Sequence, residues 1–434
     1  MPVLRFQGQP ETFSDPVLDA DEIGVDPATK ELRVGNGSSP WSALPSAGSS
    51  TYARLVPGQY RVAGLGDSIT AGDSSGYDPT NSRLRQVTIG DSPLTHALYA
   101  SDGRWDLVTN AGVGGETSAS ILARVATDIV PANVHVCVLV SDHWNDIGTG
   151  VSAATAIAND VAIITALRAS GIIPVICPLT PDQRTGSNGA RILLAQQIRE
   201  GVRSYCEAQQ VPYIDLFSIL VDTATGTLST TYNRDGSVHP NVAGYKLMGQ
   251  AIDTALRAII PPRASGLIAY AADPTDLMAG AGLFLANTAG VGTGWTYTPA
   301  SSGSAATITT DSAVLGSLQR LTGTTLVGNA LIESASLTGW SVGDQLELSG
   351  YMTGSGGTAK PRIRLLLGGA PVPNIFNNAE PSAAITRGFF RLRQVIPAGT
   401  TSVKVRLQLQ AGDGFCEWGQ LSLKNRTTQG LTTN

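Results

Sequence analysis

The sequence predicts a chain of α/β class with all-β ends. A parallel sheet covered by helices on both faces is preceded by a small β module and followed by an antiparallel sandwich. Three observations carry this. Apolar strands near 61–65, 105–109, 134–140, 172–177 and 211–215 alternate with helical stretches near 92–101, 118–130, 152–170, 188–209 and 241–260; that alternation is the signature of a parallel sheet. After Pro261-Pro262 the helical periodicity vanishes, and period-two runs such as Val403, Val405, Leu407 and Leu409 take over. Before residue 53 two short apolar pieces, Glu22-Ile-Gly-Val-Asp26 and Glu31-Leu-Arg-Val-Gly35, flank a polar turn and read as a hairpin. The expected divisions are 1–52, 53–264 and 265–434.

Composition bounds the function classes. The chain has 434 residues, enough for two or three domains, and its 42% hydrophobic content suffices for real cores. Charged residues make up 15% and the net charge is −5, with no basic block. Nucleic acid and anionic membrane are therefore not expected as partners. No stretch reaches the length of a membrane span. The N-terminus Met-Pro-Val-Leu-Arg-Phe-Gln-Gly lacks the apolar core of a signal peptide. Cys137, Cys177, Cys206 and Cys416 sit at no metal or redox spacing, and reduced core thiols are expected. No cofactor and no metal is expected, since a His-Glu-x-x-His run or Cys/His cluster is missing.

The chemistry centres on Arg61-Val-Ala-Gly-Leu-Gly-Asp-Ser-Ile-Thr70. A buried strand here delivers Ser68 onto a tight turn at the carboxyl edge of the sheet, where open α/β sheets keep their sites. A serine hydroxyl needs a base to take its proton and donors to hold an oxyanion. Two other Gly-Asp-Ser triplets, 72–74 and 90–92, lack a preceding strand; Ser74 reads as loop and Ser92, before Pro93, as a helix N-cap. The second strand runs into Asn110-Ala-Gly-Val-Gly-Gly-Glu-Thr117, a glycine turn able to aim N–H groups at an anion. The third ends in Ser141-Asp-His-Trp-Asn-Asp146, where the Asn145 amide is either an oxyanion donor or a turn residue. Asn233-Arg-Asp-Gly-Ser-Val-His-Pro240 places His239 near Asp235, a carboxylate able to orient it. His96 and His135 fall within a helix and a strand, which leaves His143 as the rival base. Tyr77, Arg83 and Arg85, in the polar stretch 71–91, either shape the cleft or belong to a solvated loop.

In this order the four blocks resemble the GDSL esterases, or SGNH hydrolases. Gly66-Asp-Ser-Ile-Thr70 is close to their first block, and the glycine turn fits the second, placing its oxyanion glycine at Gly115. The third block is usually Gly-x-Asn-Asp; here it is His143-Trp-Asn-Asp146. The last is usually Asp-x-x-His-Pro; His239-Pro240 match, but Asp235 lies four residues before the histidine and Gly236 takes the usual aspartate position. The resemblance implies a flavodoxin-like three-layer α/β/α domain and a serine esterase. Ser68 is then the nucleophile, His239 the base and Asp235 its orienting carboxylate, or else a Ser–His dyad works alone. The Ser68 and Gly115 N–H groups and the Asn145 side chain form the oxyanion hole.

Ala20 to Pro45 resembles a short module near the N-termini of bacteriophage tail-fibre and receptor-binding proteins, which are commonly trimers. That implies a virion protein acting outside the cell, with other tail proteins, two copies of itself and an acylated surface polysaccharide or glycolipid as partners. Residues 265–434 look similar to carbohydrate-binding jelly-roll modules, in which Trp295, Tyr297, Trp340, Tyr351 and Trp418 are either core or sugar-stacking residues. Three readings follow. One is a phage tail esterase that deacylates, specifically deacetylates, host surface polysaccharide. The second is an inert receptor-binding fibre that recognises a surface glycan, and the third a secreted bacterial lipase or carbohydrate esterase.

Overall fold

The computed structural model describes residues 23–25, 32–34, 38, 40, 60–72, 92–183, 189–234, 236–260, 267, 273–355, 357–359, 361–369 and 385–428. Strands β1 (Ile23–Val25) and β2 (Leu32–Val34) pair antiparallel, Ile23 against Val34, as the hairpin pattern requires.

The α/β part follows from the alternation. Its strands are β3 (Tyr60–Gly66), β4 (Trp105–Gly112), β5 (Val136–Ser141) and β6 (Ile173–Pro178), all parallel, in the spatial order β4-β3-β5-β6. That order is the flavodoxin-like one. β5 is buried along its whole length, as a central parallel strand must be, which is why it reads as the unbroken apolar run Val-Cys-Val-Leu-Val. The strand expected at 211–215 shrinks to one parallel bridge, Tyr213 against Ile176. Asp215 ends it by capping the next helix, its carboxylate accepting the Ser218 N–H.

The helices are α1 (Ser68–Ala71), α2 (Pro93–Ala100), α3 (Ser118–Arg124), α4 (Trp144–Gly148), α5 (Ala153–Ala169), α6 (Gly189–Ala208), α7 (Leu216–Leu220) and α8 (Val242–Ile259), with the small hairpin β7 (Val221–Asp222) and β8 (Thr227–Leu228) before α8. Ser92, Ser152 and Asn241 cap α2, α5 and α8 through their side chains. The helix expected over 118–130 closes at Arg124, then widens into a π turn at Val125–Ile129 and tightens at Val130–Ala132. Pro131 withholds an N–H there and Asn133 turns left-handed, so a regular helix cannot continue. α2 and α8 pack together tightly: a Cβ on Gly249 would stand 2.6 Å from the Ala97 nitrogen, so only glycine fits. Among the described residues no helix is long and apolar enough to cross a membrane.

Among the described residues beyond 273, the regular structure is β-strand apart from one 3-10 turn at Ala281–Leu283. Strands β9 (Asn287–Thr288) and β10 (Val291–Gly292) form a short hairpin. The others are β11 (Trp295–Thr298), β12 (Ser302–Thr309), β13 (Leu318–Val327), β14 (Ala330–Ser334), β15 (Gln345–Gly354), β16 (Pro361–Gly368), β17 (Ile385–Val395), β18 (Ser402–Leu409) and β19 (Gly412–Asn425). They form two antiparallel sheets, ordered β11-β14-β18-β16 and β12-β13-β19-β15-β17. Leu346, Leu348, Val403, Val405, Leu407 and Leu409 all point into one shared core, as their period-two spacing predicts. The aromatic residues serve this core and do not form an exposed platform. Trp418 is fully buried, and Trp295 is buried with its indole N–H on the Ala281 carbonyl. Tyr297 and Trp340 pack on the same cluster, and Tyr351 packs on the α/β core.

The sandwich is bolted to the α/β part. Phe389 of β17 is buried in the α/β core, and Tyr99 of α2 in the sandwich core. Between them lies a cluster of ions. Arg393 pairs with Asp106 and, at 2.7 Å, with Glu347; Arg426 reaches Glu347 at 2.9 Å, and Arg391 lies 3.4 Å from Glu347 and 3.7 Å from Asp106. Burial alone would raise Glu347, but the three guanidiniums outweigh it and hold the carboxyl at about 2.

Candidate active site

The site begins with the sharp exit from β3. Val62, Ala63 and Leu65 are fully buried, and Gly66-Asp67 then turns the chain into α1 with Ser68 as its first residue. Gly66 has φ +154°, and a Cβ there would stand 2.1 Å from the Val140 carbonyl oxygen; the turn is open only to glycine. Asp67 fixes the turn from both sides, accepting the Ile69 N–H and the Asp142 N–H at 2.9 Å each. Its burial pushes its carboxyl up to about 6 against those two bonds. Thr70 Oγ1 donates to the Val140 carbonyl at 2.8 Å, and the Asn110 amide donates to the Thr70 carbonyl at 2.8 Å. Ser68 is thereby anchored between the ends of three strands, where the strand order reverses.

The base comes from the far end of the domain. His239 Nε2 lies 3.2 Å from Ser68 Oγ. Its loop is closed by Asn233, whose amide donates to the Ser237 carbonyl at 2.9 Å while its side-chain oxygen accepts the Gly236 N–H. The Arg234 N–H donates to the His239 carbonyl at 3.0 Å, and the Gln183 N–H to the Ser237 carbonyl at 3.2 Å. Ser237 Oγ stands 3.3 Å from His239 Nδ1. Asp235 lies outside the described residues, as do Ser74, Tyr77, Arg83 and Arg85.

The candidate donors lie in the turn after β4 and in α4. Gly114 lies against the serine, since a Cβ on it would stand 3.8 Å from Ser68 Cβ, and Gly115 follows with φ +80°. Among the described residues the Ser68 and Gly115 N–H groups carry no bond to another protein group. Asn145, in the first turn of α4, donates one amide hydrogen to the Glu116 carbonyl at 2.9 Å, next to Gly115. An amide has two such hydrogens, so one stays available. Arg124 holds this glycine turn from below: it chelates Glu116 at 2.5 to 3.0 Å and donates to the carbonyls of Gly66 and Ala111.

His143 is not the rival base. It is buried, with Nδ1 3.1 Å from Asp146 and Nε2 2.9 Å from Asp160. Burial would lower this imidazole; the charges of Asp160 and Asp146 and their hydrogen bonds outweigh it and raise it to about 10. Its backbone is left-handed, φ +56°, a conformation costing a non-glycine residue roughly 1–2 kcal/mol. A glycine, the usual residue of the similar block, would meet no such cost. His96 packs edge-on against Tyr99, and His135 Nδ1 accepts the Arg61 N–H at 2.9 Å. The four cysteines are buried free thiols. Among the described residues no His, Cys, Asp and Glu cluster is placed to hold a metal ion.

Two contributions escaped sequence reasoning. The clamp by Asp67 was visible only as one letter of the Gly-Asp-Ser triplet. Asp160 had a faint signal: it is an acidic residue facing inward from the apolar helix α5.

A serine in reach of an imidazole at the carboxyl edge of a doubly wound sheet is the arrangement that serine-dependent hydrolysis needs. Residues 65–247 match the model of the family described as GDSL-like Lipase/Acylhydrolase. Among solved structures the chain is similar to a GDSL-like lipase from Bacteroides thetaiotaomicron, at 19% identity over 48% of this chain and 94% of that one, with a TM-score of 0.36. It is also similar to an acetylxylan esterase from Geobacillus stearothermophilus, in a catalytic mutant, at 17% identity over 45% and 94%, TM-score 0.37. A further acetyl xylan esterase aligns at 21% identity over 45% and 99%, TM-score 0.36. No curated protein matches the chain.

Proposed function

We propose that this protein is a serine esterase that removes acyl groups, acetyl foremost, from host cell-surface polysaccharide as part of a phage tail. The observation that carries the chemistry is the 3.2 Å contact between Ser68 Oγ and His239 Nε2. His239 takes the hydroxyl proton as Ser68 attacks the ester carbonyl, and the oxyanion forms against the Ser68 and Gly115 N–H groups and the second Asn145 amide hydrogen. The imidazolium then gives its proton to the leaving alcohol, and a water activated by the same nitrogen releases the acid. Ser237 Oγ and, in the fuller triad, Asp235 orient the ring through Nδ1. An inert receptor-binding fibre would need no such contact. The tail setting, the trimer and the glycan are supported by the leader at 20–45 and by the antiparallel sheets that follow the hydrolase domain.

Release of nitrophenol from p-nitrophenyl acetate tests the chemistry, and release of acetate from an O-acetylated capsular polysaccharide tests the substrate. Ser68→Ala and His239→Ala should each reduce the first by about a thousand-fold or more. Equal rates for the wild type and Ser68→Ala would refute the assignment.

A further inference from the structure

The acidic and imidazole groups behind Ser68 are not consumed by the mechanism above. Asp146 accepts the Ser118 N–H at 3.0 and 3.2 Å and the Ser118 hydroxyl at 2.9 Å, and so ties α4 to the start of α3, directly after the glycine turn. The ring of His143 joins this carboxylate to Asp160, on α5. Both ring nitrogens face carboxylate oxygens, and a carboxylate only accepts; both nitrogens must then carry hydrogen, which makes the ring a cation. Burial raises the carboxyls of Asp67 and Asp142 nearby, and the charge of His143 works against that rise in both. The Oδ1 atom of Asp160 is buried without another hydrogen-bond partner, so the ring is what compensates this carboxylate. Asn145 lies two residues after His143 in the same turn, and its amide spans to Glu116.

We infer that His143 is a positioning residue for ester hydrolysis: as a buried imidazolium strapped between Asp146 and Asp160, it sets the turn that aims the Asn145 amide at the oxyanion. The inference rests on the assignment of Ser68 and Asn145 made above. Where a glycine would let the turn form without strain, this chain holds a left-handed histidine in place by two charge-assisted bonds. The cation acts through Asn145 and touches no reacting atom.

A double-mutant cycle tests this. The kcat and KM on p-nitrophenyl acetate are measured for the wild type, Asn145→Ala, His143→Gln, the double variant and Ser68→Ala. Asn145→Ala should lose about 100-fold in kcat. His143→Gln should lose about 10- to 100-fold with KM little changed, and the double variant no more than Asn145→Ala alone. An unchanged kcat in His143→Gln, or the same fold-loss in both backgrounds, overturns the inference. Asp160→Asn serves as the second variant if His143→Gln does not fold, since it loosens the ring from the side remote from Asn145; the same pattern is expected. Nitrogen-15 NMR of the wild type near pH 8 should show both ring N–H groups of one histidine, lost in His143→Gln; their absence in the wild type overturns the cation. Activity retained in Ser68→Ala or Asn145→Ala sinks the parent assignment instead, whereas losses there with an additive cycle sink only the role of His143.

Discussion

Replacing Glu347 with glutamine should cost the folded protein about 3 kcal/mol at neutral pH. Glu347 is buried where the sandwich meets the α/β domain, facing Arg391, Arg393 and Arg426. These arginines hold its carboxyl at about 2 against an ordinary 4.5, and a difference of that size is worth about 3 kcal/mol in the ionised state. Removing one partner of a buried ion pair typically costs about 3–5 kcal/mol, so two routes to the magnitude agree. The pH dependence has a definite sign. A depressed carboxyl stabilises the fold above its unfolded value near 4.5, and that stabilisation is lost as pH falls toward 2. Urea titrations followed by tryptophan fluorescence, in steps between about pH 7 and pH 3, would read both. The variant should begin less stable and show a shallower acid limb. A variant within about 1 kcal/mol of the wild type at neutral pH, or with the same acid limb, would refute the reasoning.

The remaining predictions concern other parts of the molecule. Gly112→Ala places a Cβ 2.2 Å from the Ala71 nitrogen, which must push α1 and Ser68 aside; p-nitrophenyl acetate turnover should fall about 100-fold while far-UV circular dichroism stays native, and a wild-type rate would contradict it. Phe389→Ala empties a fully buried site in the α/β core and should lose about 3–5 kcal/mol in urea unfolding; a loss below about 1 kcal/mol would mean that the two parts are not packed as one unit. On the alkaline side the sign reverses. The imidazole of His143, raised from 6.5 to about 10, stabilises the fold fully below 6.5 and loses that contribution as pH rises through 10. The urea midpoint should therefore decline steadily above neutrality; a flat midpoint up to about pH 10 would count against a charged ring.

Much of this was legible in the sequence because the relevant signals are local. A strand buried on both faces must be apolar throughout, so β3 and β5 announce themselves. Ser68 stood out because a strand runs straight into it, and His239 because it lies in a loop four residues after the carboxylate Asp235. Pairings across distance carry no such mark. Nothing near His143 says that Asp160, a helix away, will hold its ring, so a buried strut read as a rival base. The short α4 and α7 are set by caps and packing and fall below the length at which helical periodicity shows. The strand at 211–215 failed for a related reason: Asp215 prefers to cap α7, and one bridge is all that remains. In the sandwich, spacing located the strands, while the aromatic residues gave no hint of which way they face; they turned inward.

The site of attachment of the sandwich has a mechanical consequence. Asp106 and Trp105, which its arginines grip, open β4, whereas Ser68 stands beside the close of that strand. Six residues of extended chain separate the two ends, about 20 Å. Joined by shared core and buried charge at the foot of the sheet, the sandwich works as a fixed mount. On the proposed chemistry, an ester should then reach Ser68 without waiting for the sandwich to move. Stapling the two parts together with a surface cross-link should leave turnover of a small ester as it was.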